Sequence, residues 1–217
     1  MLVGERMSHP VFTITADVPV QDALLQMKKD KVRRYPVVDK KGKLIGMVTM
    51  SDLLNATPSE ATTLSVWEIH SLVSKILVER VMAKDVRTCT ENTTIEEAAR
   101  MMADCRIGAL PVLRGDDLVG IITETDLFKL FLEMLGARTS GVRVTVEVRD
   151  LPGKLHDITG AISNANGNLV GMAAIQGESS SLRAITLKVT GIDCDELKKL
   201  LLPHVEKVVD IRAEKGA

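Results

Sequence analysis

A chain that repeats itself must fold as copies of one unit. Displacing this sequence by 75 residues lays Met7 on Met82, Val11 on Val86, Thr13 on Thr88 and Thr15 on Thr90. The same displacement lays Val20 on Ile95, Ala23 on Ala98, Met27 on Met102, Val32 on Ile107 and Pro36-Val37 on Pro111-Val112. One residue is lost in the second copy's turn, and a displacement of 74 then carries Gly46 onto Gly120 and Asp52 onto Asp126. A match over a whole unit, with its one gap in a turn, is a duplication, and such a period constrains architecture before any local reading does.

Each unit reads strand, helix, strand, turn, strand, helix. Val20, Ala23, Leu24 and Met27 fall at i, i+3, i+4 and i+7, an apolar helix stripe, and Ile95, Ala98, Ala99 and Met102 repeat it. Thr94 and Glu97 have capping-box spacing, whereas the first copy opens its helix with Pro19 and Asp22. Pro36-Val37-Val38 and Pro111-Val112-Leu113 begin short buried strands, followed by polar turns at 39–43 and 114–117. Neither unit alone has the apolar surface of an independent domain, so the two are expected to pack about a pseudo-two-fold axis.

Within each unit the motif Gly-x-x-Thr-x-x-Asp stands out: Gly46, Thr49 and Asp52, then Gly120, Thr123 and Asp126. Leu44, Ile45 and Val48, matched by Leu118, Val119 and Ile122, read as a buried strand that runs straight into a helix. The glycine admits a close approach to the backbone. The threonine hydroxyl and the aspartate lie at a helix N-terminus, where free N–H groups suit a phosphate. A carboxylate there repels a bare phosphate but accepts hydrogen bonds from a ribose diol, so the duplicated motif predicts a nucleoside phosphate site. The competing reading makes Asp52 and Asp126 helix caps, which does not exclude ligand contact.

Net charge is −1 and aromatic residues are 2% of the chain, so neither a nucleic-acid footprint nor a base-stacking platform is predicted. Cys89, Cys105 and Cys194 form no Cys-x-x-Cys pair and read as reduced thiols. The N-terminal residues lack a signal-peptide pattern and no stretch has the roughly 20 apolar residues of a membrane span, so a cytoplasmic protein is expected, with no membrane partner. His9, His70, His156 and His204 are scattered without metal-ligand spacing, and no nucleophile elbow or phosphate-loop sequence occurs, so neither a catalytic nor a metal site is assigned.

Residues 57–63 read as a polar loop, and Ser65 starts an amphipathic helix carrying Trp67, a core or dimer anchor. Residues 136–141 form a small-residue linker. Then Val142, Val144, Val146 and Val148 alternate with polar residues, a half-buried strand. Asp150-Leu151-Pro152-Gly153 turns into a helix through Leu155, Ile158, Ile162 and Ala165, a strand starts at Leu169, and 177–181 is a hairpin connection. Strand 182–189, a helix marked by Leu197, Leu200 and Leu201, and a last strand at 205–211 complete a βαββαβ order.

The two Gly-x-x-Thr-x-x-Asp repeats resemble a tandem of cystathionine β-synthase (CBS) domains, a Bateman module. The C-terminal unit, opening Val148-Arg149-Asp150-Leu151-Pro152-Gly153-Lys154-Leu155, resembles an ACT domain. The order of modules, and the phrase Thr63-Leu64-Ser65-Val66-Trp67-Glu68, resemble the family typified by acetoin utilisation protein B. The resemblance implies an α/β and α+β fold: two CBS domains as a pseudo-two-fold pair, followed by a ferredoxin-like ACT domain. The expected divisions are CBS domain 1 at 1–57, linker loop and helix at 58–81, CBS domain 2 at 82–136, linker at 137–141 and ACT domain at 142–217.

It further implies that AMP, ADP, ATP or S-adenosylmethionine lies in clefts between the paired units, without a separate cofactor. By position, Asp52 and Asp126 would bind the ribose, Thr49 and Thr123 the ribose or phosphate beside Gly46 and Gly120, and Thr15 and Thr90 the nucleoside. Arg34 stands where relatives place a phosphate-binding cation; its mate is Ala109, so the clefts are expected to be unequal. Arg34, with Lys28, Lys29, Lys31 and Arg33, reads equally as a solvated basic face. Asp150, Gly153 and Leu155 would flank an amino-acid effector, with dimerisation alone as the other role for that domain. The expected whole is a cytoplasmic, homodimeric or larger regulatory nucleotide sensor, linked through the resemblance to acetoin utilisation, with a downstream protein partner that the sequence does not name. A non-sensing dimerisation scaffold is the alternative, and an enzyme a more remote one.

Overall fold

A computed structural model describes residues 1–56 and 76–216, which form two compact units, Met1–Leu127 and Phe128–Ala217. Trp67 and the amphipathic helix expected after Ser65 lie outside the described residues.

In the first unit, repeat one contributes β1 (Ile14–Thr15), α1 (Val20–Asp30), β2 (Arg34–Val38), β3 (Leu44–Thr49) and α2 (Met50–Asn55). Repeat two, entered through the short α3 (Val78–Val81), contributes β4 (Cys89–Thr90), α4 (Ile95–Cys105), β5 (Ala109–Arg114), β6 (Asp117–Thr123) and the start of α5 (Glu124–Met134), whose residues from Phe128 onward belong to the second unit. The sheets are ordered β1-β2-β3 and β4-β5-β6, each with a parallel and an antiparallel pairing. The helix stripes bury as expected: Val20, Ala23 and Met27 in α1, Ile95, Ala98 and Met102 in α4. Both helices end in a left-handed residue, Lys31 at φ 55 and Arg106 at φ 54, whose N–H closes back on the last turn.

The repeats exchange their leading segments. Val3 N donates to Thr93 O at 2.9 Å and Gly4 N to Glu91 O at 3.0 Å; one displacement later, Val78 N donates to Val18 O at 2.9 Å and Glu79 N to Ala16 O at 3.0 Å. Ser8 and Ile121 exchange two backbone bonds, of 2.9 and 3.1 Å, as do Met47 and Ala83, both of 2.9 Å. So residues 1–8 serve the second repeat and residues 76–83 the first. Lys43 bridges Asp117, its own repeat mate, which marks the pseudo-two-fold axis. The core of repeat one accordingly contains Val78 beside Tyr35, Val37, Val48 and Leu53.

Two local expectations are corrected. Ile45 points out of its strand and is exposed, and Leu44, Leu118 and Val119 are only half-buried, because strand alternation gives each of these strands one buried face rather than a continuous apolar run. Thr94 accepts from Glu97 N at 3.2 Å, but the Glu97 carboxylate turns toward Arg100, at 4.0 Å, so half of the expected capping box forms.

The second unit carries a four-stranded sheet, β7 (Gly141–Arg149), β8 (Asn168–Gln176), β9 (Leu182–Thr190) and β10 (Lys207–Glu214), in the order β10-β7-β9-β8 and antiparallel throughout. With α6 (Lys154–Asn164) and α7 (Cys194–Leu201) the succession is βαββαβ. Val142, Val144, Val146 and Val148 join Ile158, Ile162, Leu187, Leu197 and Leu201 in its core. Ala165 caps α6 rather than extending it, and the last strand is shifted to Lys207–Glu214. The open sheet face carries polar groups: Thr145 and Thr186 hydroxyls lie 2.9 Å apart, Arg143 pairs with Asp210 at 2.9 Å and Lys188 with Glu214 at 2.8 Å. The strict alternation of β7, apolar residues inward, leaves only its polar residues for the other side. Among the described residues no helix is long and apolar enough to cross a membrane.

A Cβ on Gly46 would stand 2.6 Å from Met82 Sδ and 3.0 Å from the Ala83 carbonyl oxygen, which is held by its bond from Met47. Gly46→Ala is therefore expected to cost about 1–3 kcal/mol, read as a lower urea midpoint; an unchanged midpoint would show that the two repeats yield freely at this contact.

Candidate functional site

Each motif copy forms where a strand runs directly into a helix. Thr49 ends β3 in an extended conformation and caps α2: its Oγ1 accepts from Asp52 N at 3.2 Å, while Asp52 Oδ2 accepts from Thr49 N at 2.8 Å and Thr49 Oγ1 at 2.6 Å. Thr123 and Asp126 repeat the arrangement at 3.4, 3.0 and 2.7 Å. The aspartates are thus the third helical residues of capping boxes, not the caps themselves. Both threonine bonds fall on Oδ2, and among the described residues no hydrogen bond falls on Oδ1 of Asp52 or of Asp126.

The free N–H groups expected at these helix starts are largely taken. Beyond the two capping boxes, Met50 N donates to Arg33 O at 2.8 Å and Glu124 N to Gly108 O at 3.1 Å. A phosphate must therefore find side-chain cations instead. The glycines also have a structural cause: Met82 packs against Gly46 and Met7 against Gly120, each methionine reaching across from the other repeat's leading segment.

The first unit holds a cleft of about 350 Å³ that draws on both repeats. Repeat one lines it with Ser8, Pro10, Val11, Phe12, Lys31, Val32, Arg33, Arg34 and Pro36; repeat two adds Ile121, Thr123, Thr125 and Asp126. Arg34 is thereby brought to Thr123 and Asp126, although in β-sheet register it stands opposite Thr49. The Arg34 guanidinium lies against Gly108, where a Cβ would meet its Nη1 at 2.7 Å and the Glu124 carboxylate at 2.7 Å. Burial pulls the Arg34 pKa below its usual value, and the negative charge of Glu124 opposes that shift.

Sequence reasoning missed Phe12, Thr125 and Gly108. Phe12 is one of three phenylalanines and is 56% exposed within the cleft lining, an apolar surface for a flat ring. A signal existed for Gly108: the repeat displacement sets Gly108-Ala109 against Arg33-Arg34, a small pair where the other copy is doubly basic. Thr15 and Thr90 stand outside the cleft lining; Thr15 Oγ1 donates to Asp17 at 2.6 Å and Thr90 N to Thr93 Oγ1 at 3.0 Å.

In the second unit, Asp150 accepts from Arg183 Nε at 2.9 Å, Gly153 precedes α6 at φ 91, and Leu155 is exposed on its first turn. Among the described residues no group of three or more His, Cys, Asp or Glu could hold a metal ion.

Residues 3–59 and 78–133, more than half of the chain, match the CBS domain. The chain belongs to the CBS domain family. Residues 140–212 match the TTHA0829-like ACT domain, so the module order is a CBS pair followed by an ACT-like domain. A CBS domain-containing protein of Dictyostelium discoideum is 32% identical over 136 residues, 62% of this chain and 94% of that protein. The L-aspartate semialdehyde sulfurtransferase of Methanocaldococcus jannaschii is 28% identical over 60% of this chain, but the match spans only 23% of that enzyme. Among solved structures, a protein assigned to acetoin utilization (AcuB) from Vibrio cholerae is 31% identical with TM-score 0.53, covering 63% of this chain and 93% of its own. The CBS domain pair of protein MJ0100, in complex with 5'-methylthioadenosine and S-adenosyl-L-methionine, is 26% identical with TM-score 0.51, covering 60% and 95%. CBSX2 of Arabidopsis thaliana, in complex with AMP, is 27% identical with TM-score 0.50, covering 60% and 96%. CBS pairs are regulatory ligand-binding modules.

Thr49→Ala removes one cap and is expected to destabilise the first unit by about 0.5–2 kcal/mol, measured by thermal or denaturant unfolding without ligand. No loss would mean that the box contributes nothing to the fold.

Proposed function

We propose that this protein is a regulatory sensor of an adenosine ligand, AMP, ADP, ATP or an adenosyl compound such as S-adenosylmethionine, bound in the Arg34–Asp126 cleft. The observation that carries this reading is the cleft itself, which gathers Lys31, Arg33 and Arg34 from one repeat and Thr123 and Asp126 from the other. Its volume of about 350 Å³ lies within the range of small-molecule sites. Asp126 Oδ1 accepts from the ribose diol, the cations meet phosphate, and the Phe12 ring faces the base. The adenosine ligands of MJ0100 and CBSX2 support the ligand class. Output is a change of shape or partnership rather than catalysis. The likeness to AcuB extends the reading to acetoin utilization.

Loss of a hydrogen bond to a charged group costs about 1.5–3 kcal/mol. Asp126→Ala and Arg34→Ala are each expected to weaken AMP binding at least about tenfold in titration calorimetry, with Asp52→Ala as a folded control that shares no atom with this cleft. Unchanged affinity in both variants would overturn the assignment, and a wild-type chain that binds no adenosine compound would leave a scaffold.

The chain in this reading is a homodimer or larger. Phe128 and Phe131 are 68% and 55% exposed on α5, and Ile175 is 65% exposed on the edge strand β8. Such apolar groups and an unpaired edge favour a second copy. Light scattering at micromolar concentration is expected to give at least twice the chain mass; a monomer removes this part.

A further inference from the structure

Three residues make one cleft unlike the position that the repeat relates to it. Arg34 and Glu124 both stand against Gly108, within 2.8 Å of where its Cβ would be. Under the repeat displacement Arg34 becomes Ala109, Gly108 becomes Arg33 and Glu124 becomes Met50, so the other copy has none of the three. Gly108 is what admits the guanidinium and the carboxylate together, since any side chain would occupy their place. Glu124 is fixed at its backbone by the bond from its N–H to Gly108 O, 3.1 Å, but its side chain is exposed and can swing away.

We propose that Glu124 sets the charge preference of the cleft by competing with a ligand's phosphate for Arg34. This rests on the reading that the cleft binds an adenosine ligand. Glu124 acts on Arg34 as a neighbouring negative charge, and a phosphate, which a guanidinium takes through its planar fork, can replace that attraction. A phosphate brings more charge than Glu124 supplies and meets Lys31 and Arg33 as well, which line the same cleft. A neutral nucleoside leaves Arg34 with Glu124. S-adenosylmethionine, whose sulfonium and ammonium outweigh its carboxylate, meets the cations of Lys31, Arg33 and Arg34 with a net positive charge. Glu124 is thus a specificity-determining residue that makes the cleft discriminate by phosphate, while the base and ribose contacts serve every adenosine compound alike.

The test is calorimetric titration of the full chain, wild type, Glu124→Gln and Arg34→Gln, with adenosine, AMP, ADP and S-adenosylmethionine. Removing the competing charge in Glu124→Gln is expected to tighten AMP at least about threefold and ADP by more, while adenosine changes by less than about twofold. Arg34→Gln is expected to reduce the advantage of AMP over adenosine, with Lys31 and Arg33 retaining the remainder. The adenosine affinity reports the integrity of the cleft in each variant. Weaker AMP binding in Glu124→Gln, or equal shifts for adenosine and AMP, overturns the competition while leaving the nucleotide reading intact. Failure of every adenosine compound to bind the wild-type chain overturns both.

Discussion

The exchange of leading segments is the constraint on which the first unit depends. Residues 1–8 and 76–83 each complete the backbone bonding of the repeat that they do not begin. A strand end or helix start deprived of these partners would leave buried N–H and C=O groups unpaired, at about 1–3 kcal/mol each. Val3 and Val78 are both fully buried at the ends of these segments, so apolar burial and hydrogen bonding point the same way. Neither repeat is therefore a separable domain. The cleft follows from the same exchange: Ser8, Pro10, Val11 and Phe12 run on from the segment paired with Ile121, which carries them toward Thr123 and Asp126.

A symmetric scaffold produces an asymmetric site because sequence departs from symmetry where ligand charge would be met. The capping boxes, the left-handed helix ends and the methionine–glycine contacts are kept in both copies, since each answers a backbone requirement. Arg34, Gly108 and Glu124 answer none of these and occur once. Conserving the frame while varying the charges lets one architecture hold two unlike repeats.

Much of this was legible in the sequence. The duplication, the helix stripes, the strand-to-helix motif and the βαββαβ order all rest on periodicity, which is local and survives without coordinates. What the sequence concealed was non-local. Spacing shows that Arg34 and Asp126 belong to equivalent motifs in different copies, but not that the copies share a cleft. Gly46 and Gly120 read as places for a ligand's approach because nothing along the chain says that Met82 and Met7 fill that space. The helix-start N–H groups looked free because their acceptors, Arg33 O and Gly108 O, come from the residues just before β2 and β5. Glu97 had the right spacing for a reciprocal cap but a nearer attraction in Arg100, a competition between two local rules that spacing cannot rank.

The C-terminal unit shows how far a fold constrains association. Its helix-covered face takes the valines of β7, leaving Arg143, Thr145 and Glu147 for the other. There Lys188 and Glu147 are only 3% and 6% exposed, and each has a partner: Glu214 at 2.8 Å for the lysine, the backbone N–H of Glu178 at 3.2 Å for the glutamate. Charges so placed are costly to strand, because removing one partner leaves the other buried alone. A second copy laid flat on this face would have to desolvate Arg143 and Asp210 as well, with Ile175, in register with Ala184 and Glu147, as the exposed apolar side chain on it. The strand edge escapes that cost. Along β8 the backbone groups on the side away from β9 have no strand partner among the described residues, and Ile175 is exposed beside them. Pairing there exchanges water for backbone bonds and buries apolar side chains without disturbing the ion pairs. Of the two edges of this sheet, β8 and β10, the β8 edge carries the more exposed apolar side chain, Ile175 at 65% against Val209 at 49%.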